Sequence, residues 1–181
     1  YTFRRYVRNN CRNEGYDAAN DGSADLALFR PSGGLSTWHT KTLTGTANTT
    51  QFGSTGDIPT PGDYTGDETS DIAVFRPSNG TWYTALTPGN NYGAKLWGIA
   101  TDLPVQGDYD RDGITDLAVF RPSDNNWYIM RSSDNAFLQV TLGVAGDKPV
   151  PADYDGDGRT DPAVYRPSNG LWTVRGSSGN Y

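Results

Sequence analysis

The tetrapeptide Phe-Arg-Pro-Ser returns along the chain at a near-constant interval, and this periodicity limits the possible folds more than any other property of the sequence. It stands at Phe29–Ser32, Phe75–Ser78 and Phe120–Ser123, and again with a leading tyrosine at Tyr165–Ser168. Successive arginines are 46, 45 and 45 residues apart. A tryptophan follows each copy (Trp38, Trp82, Trp127, Trp172) and an acidic loop precedes each. Repeats of this kind are single supersecondary units that bury a core only by stacking on their neighbours, and a period near 45 falls in the range of propeller blades. The 181 residues therefore read as one repeat domain, with a lead-in strand at 1–16 and repeats at 17–62, 63–107, 108–152 and 153–181, the last incomplete.

Within a repeat the pattern is that of short strands. In the second, Ile72–Phe75 is a continuous apolar run, Thr81–Leu86 carries Trp82 and Tyr83, and Lys95–Trp97 leads into Gly98. No window sustains a 3.6-residue period, so the predicted class is all-β. Leu26–Phe29, Ile72–Phe75, Leu117–Phe120 and Pro162–Tyr165 lack polar alternation, which predicts a strand covered on both faces, and the alanine in each suits a crowded position. Pro162 has no amide to give a ladder, so its strand should start there or lie at an edge.

The acidic loops carry the chemistry. Counted from the first aspartate, the third repeat holds Asp108, Asp110, Asp112 and Asp116 at positions one, three, five and nine, and the fourth holds Asp153, Asp155, Asp157 and Asp161. Gly113 and Gly158 stand at position six, where a tight reversal needs them, and the carbonyls of Ile114 and Arg159 at position seven complete the candidate ligand set. Carboxylate-rich, all-oxygen ligation selects a hard cation, and a flexible loop favours Ca²⁺ over Mg²⁺. This is not an EF-hand, because a ninth-position aspartate replaces the glutamate at twelve and a strand follows where a helix belongs. The other loops are poorer. The second offers Asp63, Asp67 and Asp71, with Thr65 at position three, Thr69 at seven and Glu68 in place of glycine. The first keeps Gly22 and offers Asp17, Asp21, Ser23 and Asp25, with Ala19 at position three. Up to four Ca²⁺ are thus expected, held most tightly in repeats 3 and 4.

Composition agrees with this reading. The net charge is −6, which disfavours a nucleic-acid phosphate backbone as partner, yet 14 of the 21 acidic residues are the candidate ligand aspartates of the four loops, so four Ca²⁺ would bring the charge to +2. The 22 glycines, 11 prolines and 12% aromatic content fit short strands and many turns and argue against disorder. No apolar stretch is long enough to span a bilayer, so no membrane insertion is expected. The chain opens at Tyr1 with neither Met nor a signal-like segment, as a processed product or excised unit does. Cys11 is the single cysteine and makes no internal disulfide.

Taken together, the loops typified by Gly-Asp-Tyr-Asp-Gly-Asp-Gly, the apolar strand, Phe-Arg-Pro-Ser and the following tryptophan resemble the FG-GAP or VCBS type of repeat. Such repeats occur in bacterial extracellular proteins and, more distantly, in integrin propellers. The resemblance covers the whole chain. It implies a calcium-bound β-propeller or propeller-like array of four repeats, secreted or at the cell surface, acting in adhesion, carbohydrate binding or scaffolding. An extracellular structural or adhesive module is the leading expectation, and a calcium-dependent lectin recognising a glycan is the alternative.

Catalysis is not expected. His39 is the single histidine, has no counterpart in the other repeats and reads as a surface residue, while the clustered carboxylates are assigned to the loops. Arg30, Arg76, Arg121 and Arg166 recur in phase and read as packing residues pairing with nearby acids; the irregular Trp97 is the better lectin candidate. Asn48 and Asn79 fit the glycosylation sequon. At the ends, the fourth repeat lacks its third strand, while Tyr6 lies 11 residues before Asp17, as Phe52, Trp97 and Leu142 do before Asp63, Asp108 and Asp153. Residues 1–8 are therefore expected to be the missing strand of the last blade, supplied by the chain itself as ring closure or by a neighbouring subunit, head to tail.

Overall fold

The computed structural model describes residues 16–17, 23–85, 92–176 and 179–180. Among these residues the protein is all-β, with fifteen strands in four antiparallel sheets. The first sheet contains β1 (Leu26–Ser32), β2 (Leu35–Lys41) and β3 (Ala47–Ser54). The second runs β4 (Ile58–Pro59), β5 (Ala73–Arg76), β6 (Thr81–Ala85) and β7 (Tyr92–Leu96), and the third β8 (Leu103–Pro104), β9 (Leu117–Arg121), β10 (Asn126–Met130) and β11 (Phe137–Thr141). The fourth has β12 (Lys148–Pro149), β13 (Ala163–Arg166), β14 (Leu171–Gly176) and the short β15 (Gly179–Asn180). Strands pair in chain order, and no sheet closes on itself among the described residues. Residues 1–8, expected to complete the last sheet, and Cys11 lie outside them.

The apolar runs form interior strands in the second, third and fourth sheets, with β5 starting one residue late at Ala73, but β1 is the edge strand of the first sheet and is half-buried or exposed, so the expected cover on both faces is not met there. β13 begins directly after Pro162. Each sheet opposes its aromatic residue to its tryptophan in one register: Phe29 to Trp38, Phe75 to Trp82, Phe120 to Trp127 and Tyr165 to Trp172. The ring centroids are 5.2 to 5.5 Å apart and tilted, the geometry that aromatic quadrupoles prefer. Neighbouring sheets meet on these pairs: Val119 packs against Phe75 and Trp82, and Val164 against Phe120 and Trp127. Ala73, Ala118 and Ala163 are fully buried, which accounts for the small residue there.

Three of the four repeated arginines make ion pairs among the described residues, and their partners are not the metal-loop aspartates but a second set 19 residues earlier: Arg76 with Asp57, Arg121 with Asp102 and Arg166 with Asp147, each at 2.8 Å. The contacts are two-pronged from Nε and Nη2. Each aspartate also closes its own turn, accepting the amide of Ser54, Ile99 or Val144 through Oδ2. Gly98 opens one such turn at φ +119°, where a Cβ would lie 3.2 Å from Phe75 and 3.3 Å from Asp102. The aspartates are buried while the arginines retain a wet edge. Arg166 holds the Asp147 carboxyl below the usual carboxylate range.

The two-residue strands β4, β8 and β12 line a cavity of about 660 Å³ together with Tyr16, Gln106, Thr115 and Thr160. Pro59, Pro104 and Pro149 face it.

Removing one partner of a buried ion pair strands the other charge. Arg121→Met is therefore expected to destabilise the fold by about 3 kcal/mol, and the double variant Arg121→Met, Asp102→Asn to recover part of that loss. Urea unfolding of the two single variants and the double variant measures this; additive losses would show that the pair is not coupled.

Candidate metal centre

Each acidic loop joins a two-residue strand to the apolar strand, β4 to β5, β8 to β9 and β12 to β13, and a carboxylate at its start winds the backbone around itself. In the third repeat Asp108 accepts the amides of Arg111 (2.5 Å), Asp112 (3.2 Å) and Gly113 (2.9 Å). In the second, Asp63 accepts those of Thr65, Gly66 and Glu68 at 3.1, 2.6 and 2.8 Å. In the fourth, Asp153 accepts those of Gly156 and Gly158. The ninth-position aspartate closes the loop: Asp71, Asp116 and Asp161 accept the amides of Tyr64, Tyr109 and Tyr154. Asp116 also accepts the Ser132 amide at 2.6 Å.

In the second, third and fourth loops two residues each adopt the left-handed backbone. At position six stand Glu68 (φ 66°), Gly113 (φ 88°) and Gly158 (φ 88°), and at position four Gly66 (φ 77°), Arg111 (φ 67°) and Gly156 (φ 78°). The expectation of a glycine-requiring reversal at position six thus holds, and the second reversal at position four went unread in the sequence. Glu68 carries the strain that glycine avoids in the later loops.

The structure brings together positions one, three and nine. Asp108, Asp110 and Asp116 each offer a carboxylate oxygen within 4.8 Å of the other two, and Asp153, Asp155 and Asp161 do the same. These clusters could hold a metal ion. Position five does not join them: Asp112 and Asp157 accept the amides of Ile114 and Arg159 at 2.8 Å, and Asp112 also takes the Ser132 hydroxyl at 2.8 Å. In the second loop Asp67 sits likewise against the Thr69 amide and hydroxyl, which draw its carboxyl below the usual range. Thr65 puts no carboxylate at position three, and that loop keeps the same fold around Asp63 and Asp71. In the first loop Asp17 bonds to Ser70, both by its amide to Oγ (2.9 Å) and by its carbonyl to the amide (2.8 Å). Asp25 is buried and accepts the Leu43 amide, Ser23 is half-buried, and Asp21 lies outside the described residues.

The donor set fits a hard cation. The carboxylates at positions one and nine have a structural task that needs no ion, since loop 2 shows the same turn without a third carboxylate. Asp110 and Asp155 each accept one longer amide bond, from Asp112 and Asp157 at 3.3 Å, and they bring the third negative charge to the cluster. Burial pushes the Asp108 carboxyl up and that of Asp116 up to about 6, because desolvation disfavours the charged form and neighbouring carboxylates repel it. Sequence reasoning missed Ser133, whose hydroxyl reaches from the turn after β10 to Asp110 at 2.5 Å.

The loops are also bonded to one another. The amides of Ser70, Thr115 and Thr160, all at position eight, donate to the carbonyls of Asp17, Asp63 and Asp108 in the preceding loop at 2.8, 2.6 and 2.6 Å. A Cβ on Gly62 or Gly107 would stand 2.6 or 2.5 Å from the hydroxyl of Thr115 or Thr160.

Residues 108–164 match the FG-GAP-like repeat family. The matched stretch contains both three-carboxylate clusters. No curated protein and no solved structure matches the chain significantly.

Glu68→Gly should relieve the strained position six and stabilise the protein by about 1 kcal/mol, while Gly158→Ala should destabilise it by a similar amount. Thermal melts of the two variants check the opposed signs.

Proposed function

We propose that this protein is an extracellular calcium-binding structural or adhesive module, a propeller-like array in which up to four Ca²⁺ sit in the acidic loops and bind most tightly in repeats 3 and 4. The observation that carries this reading is the third carboxylate at Asp110 and Asp155, gathered against two carboxylates that the loop already holds in place. The FG-GAP-like repeat at 108–164 supports it, because repeats of that family are typically extracellular and adhesive or structural. Among the described residues no helix is long and apolar enough to cross a membrane. The remaining ligands in the proposal are the loop carbonyls at Ile114 and Arg159, and the poorer sets Asp63, Asp67, Asp71 with Thr65 and Thr69, and Asp17, Asp21, Asp25 with Ser23. No residue is assigned to catalysis. His39 lies on β2 with Thr49 beside its ring, 3.4 Å from Nδ1.

A second reading, a calcium-dependent lectin, is favoured by a cleft of about 310 Å³ between the second and third sheets, lined by Trp97, Tyr128, Phe137 and Arg121. Tyr128 stacks on Phe137, and the Arg121 guanidinium lies 4.2 Å over the Tyr128 ring. Aromatic faces beside a fixed polar group suit a sugar ring. A reproducible saccharide signal on a glycan array, lost in Trp97→Ala and in Phe137→Ala, would promote this reading over the first.

Calcium at ten to a hundred times its dissociation constant would add roughly 1.4 to 2.7 kcal/mol per site. The melting temperature should therefore fall on chelation with EDTA and recover with Ca²⁺, and Asp110→Ala should shrink this response more than Asp67→Ala does. A melting temperature indifferent to chelation overturns the proposal.

Acidity provides a further check with a definite sign. The folded Asp116 carboxyl titrates near 6, above its unfolded value of 3.8, so without metal this group favours the fold at low pH and loses that contribution as pH rises through 6. A cation needs the ionised form, so the stabilisation by Ca²⁺ should grow over the same interval. Melts with and without Ca²⁺ at pH values on either side of it should show the larger gap on the alkaline side, and Asp116→Asn should flatten the difference.

A further inference from the structure

The junctions between sheets follow one rule, and the two outermost faces are the two halves of a junction that is not made among the described residues. At each formed junction the Phe–Trp pair of one sheet receives a small aliphatic residue of the next: Val119 on Phe75 and Trp82, Val164 on Phe120 and Trp127. The pair offered by the fourth sheet, Tyr165 and Trp172, keeps the register and ring geometry of the others. Yet Trp172 is 53% exposed, where Trp38, Trp82 and Trp127 are 2%, 1% and 0% exposed. At the opposite end, Ala27 and Leu28 hold the places of Ala118 and Val119. They are half-buried, although the equivalent pairs Ala73–Val74, Ala118–Val119 and Ala163–Val164 are almost wholly buried.

A second, independent match lies in the loops. Gly62 and Gly107 are glycine because the threonine of the following loop comes within 2.6 and 2.5 Å of where a Cβ would be. The fourth repeat has Ala152 at this place, so a threonine-bearing loop cannot sit on it in the same way. The first repeat carries Ala24 where the later loops have Ser70, Thr115 and Thr160. Losing the threonine hydroxyl and methyl removes the closest contacts and leaves an approach of 2.9 to 3.1 Å between β-carbons, which a shift of a few tenths of an ångström relieves. Ala152 thus admits a loop bearing Ala24 where the loops bearing Thr115 and Thr160 would clash.

We propose that the fourth sheet of one copy docks on the first sheet of a second copy, with Trp172 and Tyr165 taking Leu28 and Ala27, and Ala152 seated against Ala24. The occupant is a second copy because the two faces carry the two halves of the repeated junction and both stand open among the described residues. The contact continues the interface already formed between successive sheets, and it is heterologous, so it propagates or closes only through further copies. It rests on sheet packing and not on the cation of the preceding proposal, so the two can fail separately.

Analytical ultracentrifugation of the 181-residue chain, in Ca²⁺ and in EDTA, tests it. The wild type should exceed the monomer mass of 19.7 kDa as its concentration rises. Leu28→Lys and Trp172→Lys should each sediment as monomers, and their equimolar mixture should form a species of twice that mass, because one intact copy of each face remains. Ala24→Thr, a mild change, should weaken association at least tenfold with an unaltered circular dichroism spectrum. A wild type that stays monomeric at every concentration overturns the proposal, as does association untouched by these variants. Loss of association on removing residues 1–8, with the variants above inert, also overturns it, in favour of strand exchange.

Discussion

The carboxylate that opens each acidic loop sets both the shape of its own loop and the position of the next. The side chain of Asp108 gathers three backbone amides, while its carbonyl receives the amide of Thr160 one repeat later. Asp63 stands in the same relation to its own loop and to Thr115. A charged acceptor makes stronger hydrogen bonds than a neutral one, and a buried one left without donors is costly. The loop is therefore a fixed piece of backbone before any ion is considered, and the cluster geometry comes from that rigidity.

The arginine–aspartate pairs do for the opposite end of each unit what the loop aspartates do for theirs. Asp57, Asp102 and Asp147 each close a turn and receive a guanidinium in two-pronged contact, so the strand entering one unit is tied to the apolar strand inside it. Because the arginines keep partial contact with water, only one member of each pair is fully desolvated, which limits the cost that buried pairs carry. Stacking of Arg76 on Tyr83 and of Arg121 on Tyr128 holds the planar groups in place.

The sequence was legible where a side-chain type recurs with a strong physical preference. Apolar runs such as Leu117–Phe120 located the interior strands, and the aspartate spacing located the loops and singled out repeats 3 and 4. It was silent on β4, β8 and β12, since two residues show no periodicity and a proline reads as a turn. The roles of Asp57, Asp102 and Asp147 were missed although their offset from the arginines is constant, because acids in glycine-rich turns look like ordinary solvated turn residues. Trp97 drew attention by its irregularity. In the structure its indole N–H donates to the Tyr128 carbonyl at 3.1 Å and its ring meets Phe137, so it serves the junction of two sheets as well as lining a cleft. The position-five aspartates, equal to the rest by spacing, are not in the three-carboxylate clusters; each takes a close amide bond from two residues ahead, 2.8 Å against 3.3 Å for the position-three aspartates, and a one-dimensional pattern does not show which acceptor a turn holds most tightly.

Pro59, Pro104 and Pro149 occupy the short strands that line the cavity, and proline has no amide hydrogen to extend a ladder. An incoming chain that tried to lengthen the sheets there would find that amide missing and only two residues to grip. These edges are therefore poor templates for side-to-side pairing, the route by which β-rich chains form disordered aggregates. The protection is written into the backbone of each unit, so it holds whatever the faces of the sheets contact.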